Sequence, residues 1–133
     1  MNADYASCGL SFHLAGTTRT LNGDWFDQVN PDRQVNSSRR FALFLSAAVD
    51  TSPRSPLQTT MKNQLRQGGA DTLNVYSVGF VSGEAAGLLG YSTFPTSYAG
   101  SPKDDGVVML YSSVPGGTMA PYDKGRTLTH EAG

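Results

Sequence analysis

Val107-Val-Met-Leu-Tyr111 is the stretch that decides the fold. Asp104-Asp105-Gly106 stands before it and Pro115-Gly116-Gly117 after it, so turn residues bound a short, unbroken apolar run. Such a run predicts a strand buried on both faces, as in a sheet covered by helices. Working outward, Leu73-Asn-Val-Tyr-Ser-Val-Gly-Phe80 reads as a second strand, rich in β-branched and aromatic residues. Leu88-Leu-Gly-Tyr-Ser-Thr-Phe94 reads as another, stopped by Pro95 and followed by a polar loop from Thr96 to Lys103. Upstream lies the clearest helix. Ser55 suits the N-cap, Pro56 the first helical position, and Gln58 completes a capping box. Leu57, Met61 and Leu65 recur every four residues as one apolar stripe, and Gly68-Gly69 offers a left-handed stop.

Nearer the start, Leu10, Phe12 and Leu14 alternate with Ser11, His13 and Ala15, the two-residue period of a half-buried strand. Gly16-Thr17-Thr18 breaks that pattern. Asn22-Gly23-Asp24 reads as a turn, and Trp25-Phe26 as an anchor into the core. At the other end, Thr127 is placed to cap a helix that runs about one turn before Gly133. The order strand, helix, three strands, helix predicts an α/β fold built on a mixed sheet.

With 133 residues and 14.1 kDa, the chain holds one domain. Apolar residues make up 38%, enough for a core, while 15 glycines and 7 prolines favour strands and long connections over a helix bundle. A net charge of -1 gives no electrostatic reason to expect nucleic acid or an anionic membrane as partner. The single Cys8 excludes an internal disulfide and reads as a small buried thiol. Met1-Asn-Ala-Asp-Tyr5 lacks the basic start and apolar run of a signal peptide. Phe41-Ala-Leu-Phe-Leu-Ser-Ala-Ala-Val49, behind Arg39-Arg40, is too short to cross a bilayer, which takes about 20 residues as a helix.

The pair with chemical interest is His130-Glu131. In His-Glu-x-x-His on a helix, two imidazoles one turn apart bind zinc and the Glu activates the metal-bound water. Here the sequence reads His-Glu-Ala-Gly, one residue short of the second His, and a two-residue match by itself arises by chance. The flanking sequence adds far more. Asn2-Ala-Asp-Tyr-Ala6, Leu10-Ser-Phe12, Leu14-Ala-Gly-Thr-Thr-Arg19 and Asp24-Trp-Phe26 are followed by Met61 to Tyr76 and Gly87 to Pro95. Lys103 to Ser113, Pro115-Gly-Gly117 and Gly125-Arg-Thr-Leu-Thr-His-Glu131 complete the series. In this order the segments resemble the secreted fungal metalloproteases of the pappalysin (pregnancy-associated plasma protein-A) family, which are metzincins.

The resemblance implies a partial metzincin-like catalytic domain over residues 1–133: a twisted mixed sheet with flanking helices, ending at the start of the zinc helix. It implies zinc as cofactor, His130 as the first of three zinc ligands, and Glu131 as the general base. Gly133 matches the Gly inside the motif, and Ala132 stands where the family usually has Val. The strand Leu88 to Phe94 and the run Val107 to Tyr111 resemble the substrate-facing side of the sheet, where an extended peptide docks by strand addition. Protein or peptide substrates, secretion and a monomeric state follow from the same kinship. Relative to the family, the second and third His ligands and the Met-turn lie past residue 133. A signal peptide, propeptide and first central strand precede the segment that aligns with Met1, so Leu10 to Ala15 is expected to lack a ladder partner. Residues of about 33–54 form an insertion, either genuine or unspliced sequence.

Other groups have structural readings. His13 faces away from Leu10, Phe12 and Leu14 and reads as a solvated histidine. Asp104 and Asp105 read as a turn before a cation site, and Tyr122 as a packing residue before an oxyanion donor. Asn36-Ser-Ser38 fits a glycosylation sequon. The alternative to a zinc peptidase is a non-catalytic relative, or an α/β domain that binds peptide without zinc chemistry.

Overall fold

The structure, a computed structural model, describes residues 1–31 and 56–133. The Ser55 cap, the Phe41–Val49 run, the Asn36 sequon and the 33–54 insertion lie outside the described residues. Three strands form one mixed sheet in the order β1-β3-β2: β1 is Val75–Val78, β2 is Gly90–Ser92 and β3 is Val107–Leu110. β1 runs parallel to β3 with Val75 opposite Val107, and β2 runs antiparallel with Tyr91 opposite Val108. All four β3 residues are buried, as the unbroken apolar run predicts for a central strand. Tyr111 falls outside the strand, in a short 3₁₀ turn over Tyr111–Ser113, and is exposed. β1 and β2 are both shorter than their sequence patterns suggest.

Among the described residues four short helices surround this sheet: α1 over Asn2–Tyr5, α2 over Gly23–Gln28, α3 over Pro56–Leu65 and α4 over Arg126–Ala132. Trp25 and Val29 with Met61 of α3 pack on Tyr76, Val78, Val108 and Leu110, which share one face of the sheet. Leu57 and Leu65 join that cluster at its margin, so the predicted stripe faces the core. On the same helix Lys62 is fully buried and pairs with Asp104 at 3.4 Å, while Arg66 pairs with Asp105 at 3.3 Å. Gln58 Nε2 donates to Asp104 Oδ1 at 2.7 Å. Asp104 and Asp105 are therefore occupied by α3, and the structural reading of that turn holds. The helix ends at Leu65, and Gly68, three residues beyond, adopts the left-handed conformation at φ +73.

Several expectations fail for identifiable reasons. Leu10 to Ala15 is not a strand: Leu10 is 55% and Leu14 87% exposed, and no described strand lies alongside to complete a ladder. Instead Asn2 grips Phe12 at both backbone groups, Nδ2 donating to its carbonyl and Oδ1 accepting from its N–H, each at 3.0 Å. Asn22-Gly23-Asp24 starts α2 rather than a turn, because Asn22 Oδ1 accepts the Trp25 N–H at 3.0 Å as an N-cap. Cys8 is exposed, not buried, since the segment it opens never joins the sheet. His13 is exposed on the same irregular stretch. Thr127 sits inside α4, whose N-cap is Gly125 in the left-handed region at φ 74, so the helix begins earlier and runs seven residues rather than about one turn.

Tyr76 reports on the core. Its hydroxyl is buried without a partner among the described residues, and burial pushes its pKa up to about 12. The folded protein thus keeps this proton where the unfolded chain releases it, near 10. Stability is expected to be whole below pH 10 and to decline as pH rises toward 12. Urea midpoints across that window should fall less steeply in Tyr76→Phe than in the wild type.

Candidate active site

The helix that bears His130 and Glu131 is seated on the sheet by an absence of side chain. A Cβ built on Gly90 of β2 would lie 3.1 Å from Thr127 Cγ2 and 3.3 Å from Glu131 Cγ. Thr127 and Glu131 are one turn apart on a single face of α4, so a side chain at 90 would crowd both, along with the Val108 carbonyl oxygen at 3.1 Å. Gly inside a strand pattern signals this kind of close approach. The seat brings Glu131 Oε2 to 3.2 Å from Ser92 Oγ, which donates to it. Upstream, the Gly125 N–H donates to the Ser113 carbonyl at 3.2 Å and ties the helix start to the 3₁₀ turn that follows β3.

His130 projects to solvent beside this seat. It lines, with Glu131, a cleft of about 470 Å³ whose other walls include Leu89, Gly90, Tyr122, Lys124 and the first turn of α4. Tyr122 is 54% exposed, so it is a wall of the cleft and not the packed residue expected from sequence. β2 pairs only with β3 among the described residues, leaving its outer edge free beside the cleft. That fits the docking of an extended peptide at Leu88 to Phe94. It does not fit docking at Val107 to Tyr111, because β3 is paired on both edges.

The far side of α4 is held by residues that sequence reasoning passed over. The Tyr5 hydroxyl donates to the Thr129 carbonyl at 2.7 Å, and the Thr129 hydroxyl donates to Asp4 Oδ2 at 2.7 Å. Arg126 pairs with the other oxygen of Asp4. The Thr129 hydrogen bond and the Arg126 guanidinium hold the Asp4 carboxyl below its ordinary 3.8. Nothing in the sequence signals these contacts, because the partners stand more than a hundred positions apart.

A catalytic zinc site takes three protein ligands and one open position. Among the described residues no three His, Cys, Asp or Glu side chains gather to hold a metal ion, and α4 contributes one imidazole beside one carboxylate. His13 lies on the irregular stretch that follows α1 and adds nothing to that donor set. The described residues therefore fit a fraction of a zinc site and not a whole one. No helix among them is long and apolar enough to cross a membrane.

What the fold and the site define together is a mixed α/β sheet carrying a helix-borne His-Glu pair next to a free strand edge. No protein-family model matches the chain. Over its whole length it is similar to curated fungal proteins named extracellular metalloprotease. It is 37% identical over 136 residues to the one from Verticillium alfalfae and 39% identical over 136 residues to extracellular metalloprotease 1 of Coccidioides posadasii. The Arthroderma benhamiae protein is 37% identical over 135 residues. In each case the whole of this chain is matched, and it spans 36 to 38% of the relative's length. Among solved structures, Tannerella forsythia mature mirolysin in complex with a cleaved peptide matches 55% of this chain and 29% of its own, at 34% identity and a TM-score of 0.42. The chain is thus a sequence relative of the fungal extracellular metalloproteases from end to end, and covers well under half of their length.

Proposed function

We propose that residues 1–133 are part of the catalytic domain of a secreted zinc metalloendopeptidase of the pappalysin type, with zinc as its cofactor and protein or peptide as its substrate. The observation that carries the reading is the seat of α4 on β2. It places the Glu131 carboxylate against the edge strand and turns His130 into the cleft. In this reading His130 is one ligand of the zinc, which supplies Lewis acidity when bound by the complete ligand set. Glu131 is the general base that takes a proton from the attacking water, and Ser92 fixes the orientation of its carboxylate. The outer edge of β2 aligns the substrate backbone by main-chain hydrogen bonds, which bring the scissile carbonyl beside the base. The enzyme acts outside the cell as a monomer.

The donor set favours a second reading for a polypeptide limited to these residues. One imidazole and one carboxylate do not hold zinc as three ligands and a water do, so such a product is non-catalytic and binds peptide at most. Residues 1–133, expressed and supplied with zinc, are expected to hydrolyse a quenched peptide no faster than their His130→Ala control. Turnover above that control would show that further ligands lie within the chain. Stoichiometric zinc in the purified polypeptide, together with casein cleavage that a chelator stops, would rule out the non-catalytic reading.

A further inference from the structure

We infer that Asp4 and Tyr5 are positioning residues for His130: α1 clamps α4 through Thr129 and sets where the imidazole stands in the cleft. The inference deepens the reading of His130 and Glu131 as the working pair.

α4 has little to hold it in place by itself. It is seven residues long, its N-cap is a glycine with no side-chain hydrogen bond, and no acidic residue sits in its first turn. A helix this short is held by tertiary contacts or not at all. On one side the helix meets the sheet, at β2 and at β3, and on another it meets α1. Thr127 and Glu131 lie on Gly90 of β2. Arg126, Thr129 and Gly133 follow at spacings of three and four, and all three face α1. Arg126 meets Asp4, Thr129 meets both Asp4 and Tyr5, and a Cβ on Gly133 would come within 2.7 Å of the Tyr5 hydroxyl. His130 falls between the two faces, at the mouth of the cleft. The seat on β2 and β3 holds the helix from the sheet side only, and any roll about that seat swings His130. The α1 contacts oppose that roll at the residue immediately before it.

The clamp is itself braced. Asn2 holds Phe12 by two backbone hydrogen bonds, and the Phe12 ring stands edge-on to Tyr5 with centroids 5.7 Å apart. Tyr5 is thus fixed before it reaches Thr129. This gives the irregular stretch after α1 a task although it joins no sheet.

The test is NMR on the ¹⁵N-labelled 133-residue chain, comparing the wild type with Asp4→Asn/Tyr5→Phe, Thr129→Val and Thr129→Ser. The amides of His130, Glu131 and Ala132 should exchange about tenfold or more faster in Asp4→Asn/Tyr5→Phe and in Thr129→Val, while those of Val108 and Met109 keep their wild-type rates. Relaxation of the His130 ring should show lost order in the same variants. Thr129→Ser, which keeps the hydroxyl, should restore both. Unchanged exchange and ring order in the double variant would overturn the inference. So would equal acceleration at Val108 and Met109, which would make these contacts supports of the whole fold rather than of His130. Neither readout needs turnover, so failure here and failure of the peptidase reading are told apart.

Discussion

Glu131→Gln in the whole protease is expected to lower kcat/KM for a quenched peptide by about 10²–10⁴-fold, the usual worth of a positioned general base. The amide keeps the size of the side chain, so Thr127 and the substituted side chain still seat α4 on Gly90 and the fold is retained. The amide oxygen also still accepts from Ser92, whose hydroxyl donates to the carboxylate at 3.2 Å in the wild type. What is lost is the capacity to take a proton. In the proposed mode the substrate docks on the edge of β2 through backbone groups, which the change leaves untouched. The loss should therefore fall on kcat with KM little altered, as befits an interaction made mainly in the transition state. An equal fall for Ser92→Ala would point to a role for the hydroxyl beyond orientation; the expected loss there is smaller, on the order of tenfold.

A large effect on stability is expected at Gly106, which admits β3 to the sheet. Its φ of +127 is a conformation that side chains rarely adopt, and a Cβ there would lie 2.7 Å from the Asn74 carbonyl oxygen. That oxygen accepts the Val107 N–H at 2.9 Å, the bond that opens the β1–β3 ladder. Backbone cannot yield as a flexible side chain does, so Gly106→Ala must tilt the start of the central strand. A cost of about 3 kcal/mol follows from strain and clash together. It is read as a lower urea midpoint at unchanged slope. Gly16→Ala, where nothing lies within 4 Å, serves as the neutral comparison.

How much of this was legible in the sequence depends on whether the cause was local. The buried central strand was legible because four apolar residues in a row between turns have few alternatives, and the α3 stripe because Leu57, Met61 and Leu65 keep a helical period. The alternation at Leu10 to Ala15 was equally clear and misled, since a strand needs a partner that its own residues cannot specify. Asn22-Gly23-Asp24 misled for another reason. Asn favours turns and N-caps alike, and only the Trp25 N–H at 3.0 Å decides between them. The proposed roles of His130 and Glu131 rest on resemblance, and Gly90 was readable in principle as a glycine within a strand. Asp4, Tyr5 and Ser92 were not readable, because each acts on α4 from a distant part of the chain.

The central claim is that His130 and Glu131 serve a zinc-dependent peptidase, and one measurement meets it most directly. The cleavage rate of a quenched peptide is followed for the whole protease, after removal of metal by a chelator and after zinc is returned, beside a His130→Ala variant. Cleavage that stops with the chelator, returns with zinc and is absent from His130→Ala at every zinc concentration is the result predicted. Cleavage that persists through chelation, or that survives His130→Ala at the wild-type rate, would contradict the account.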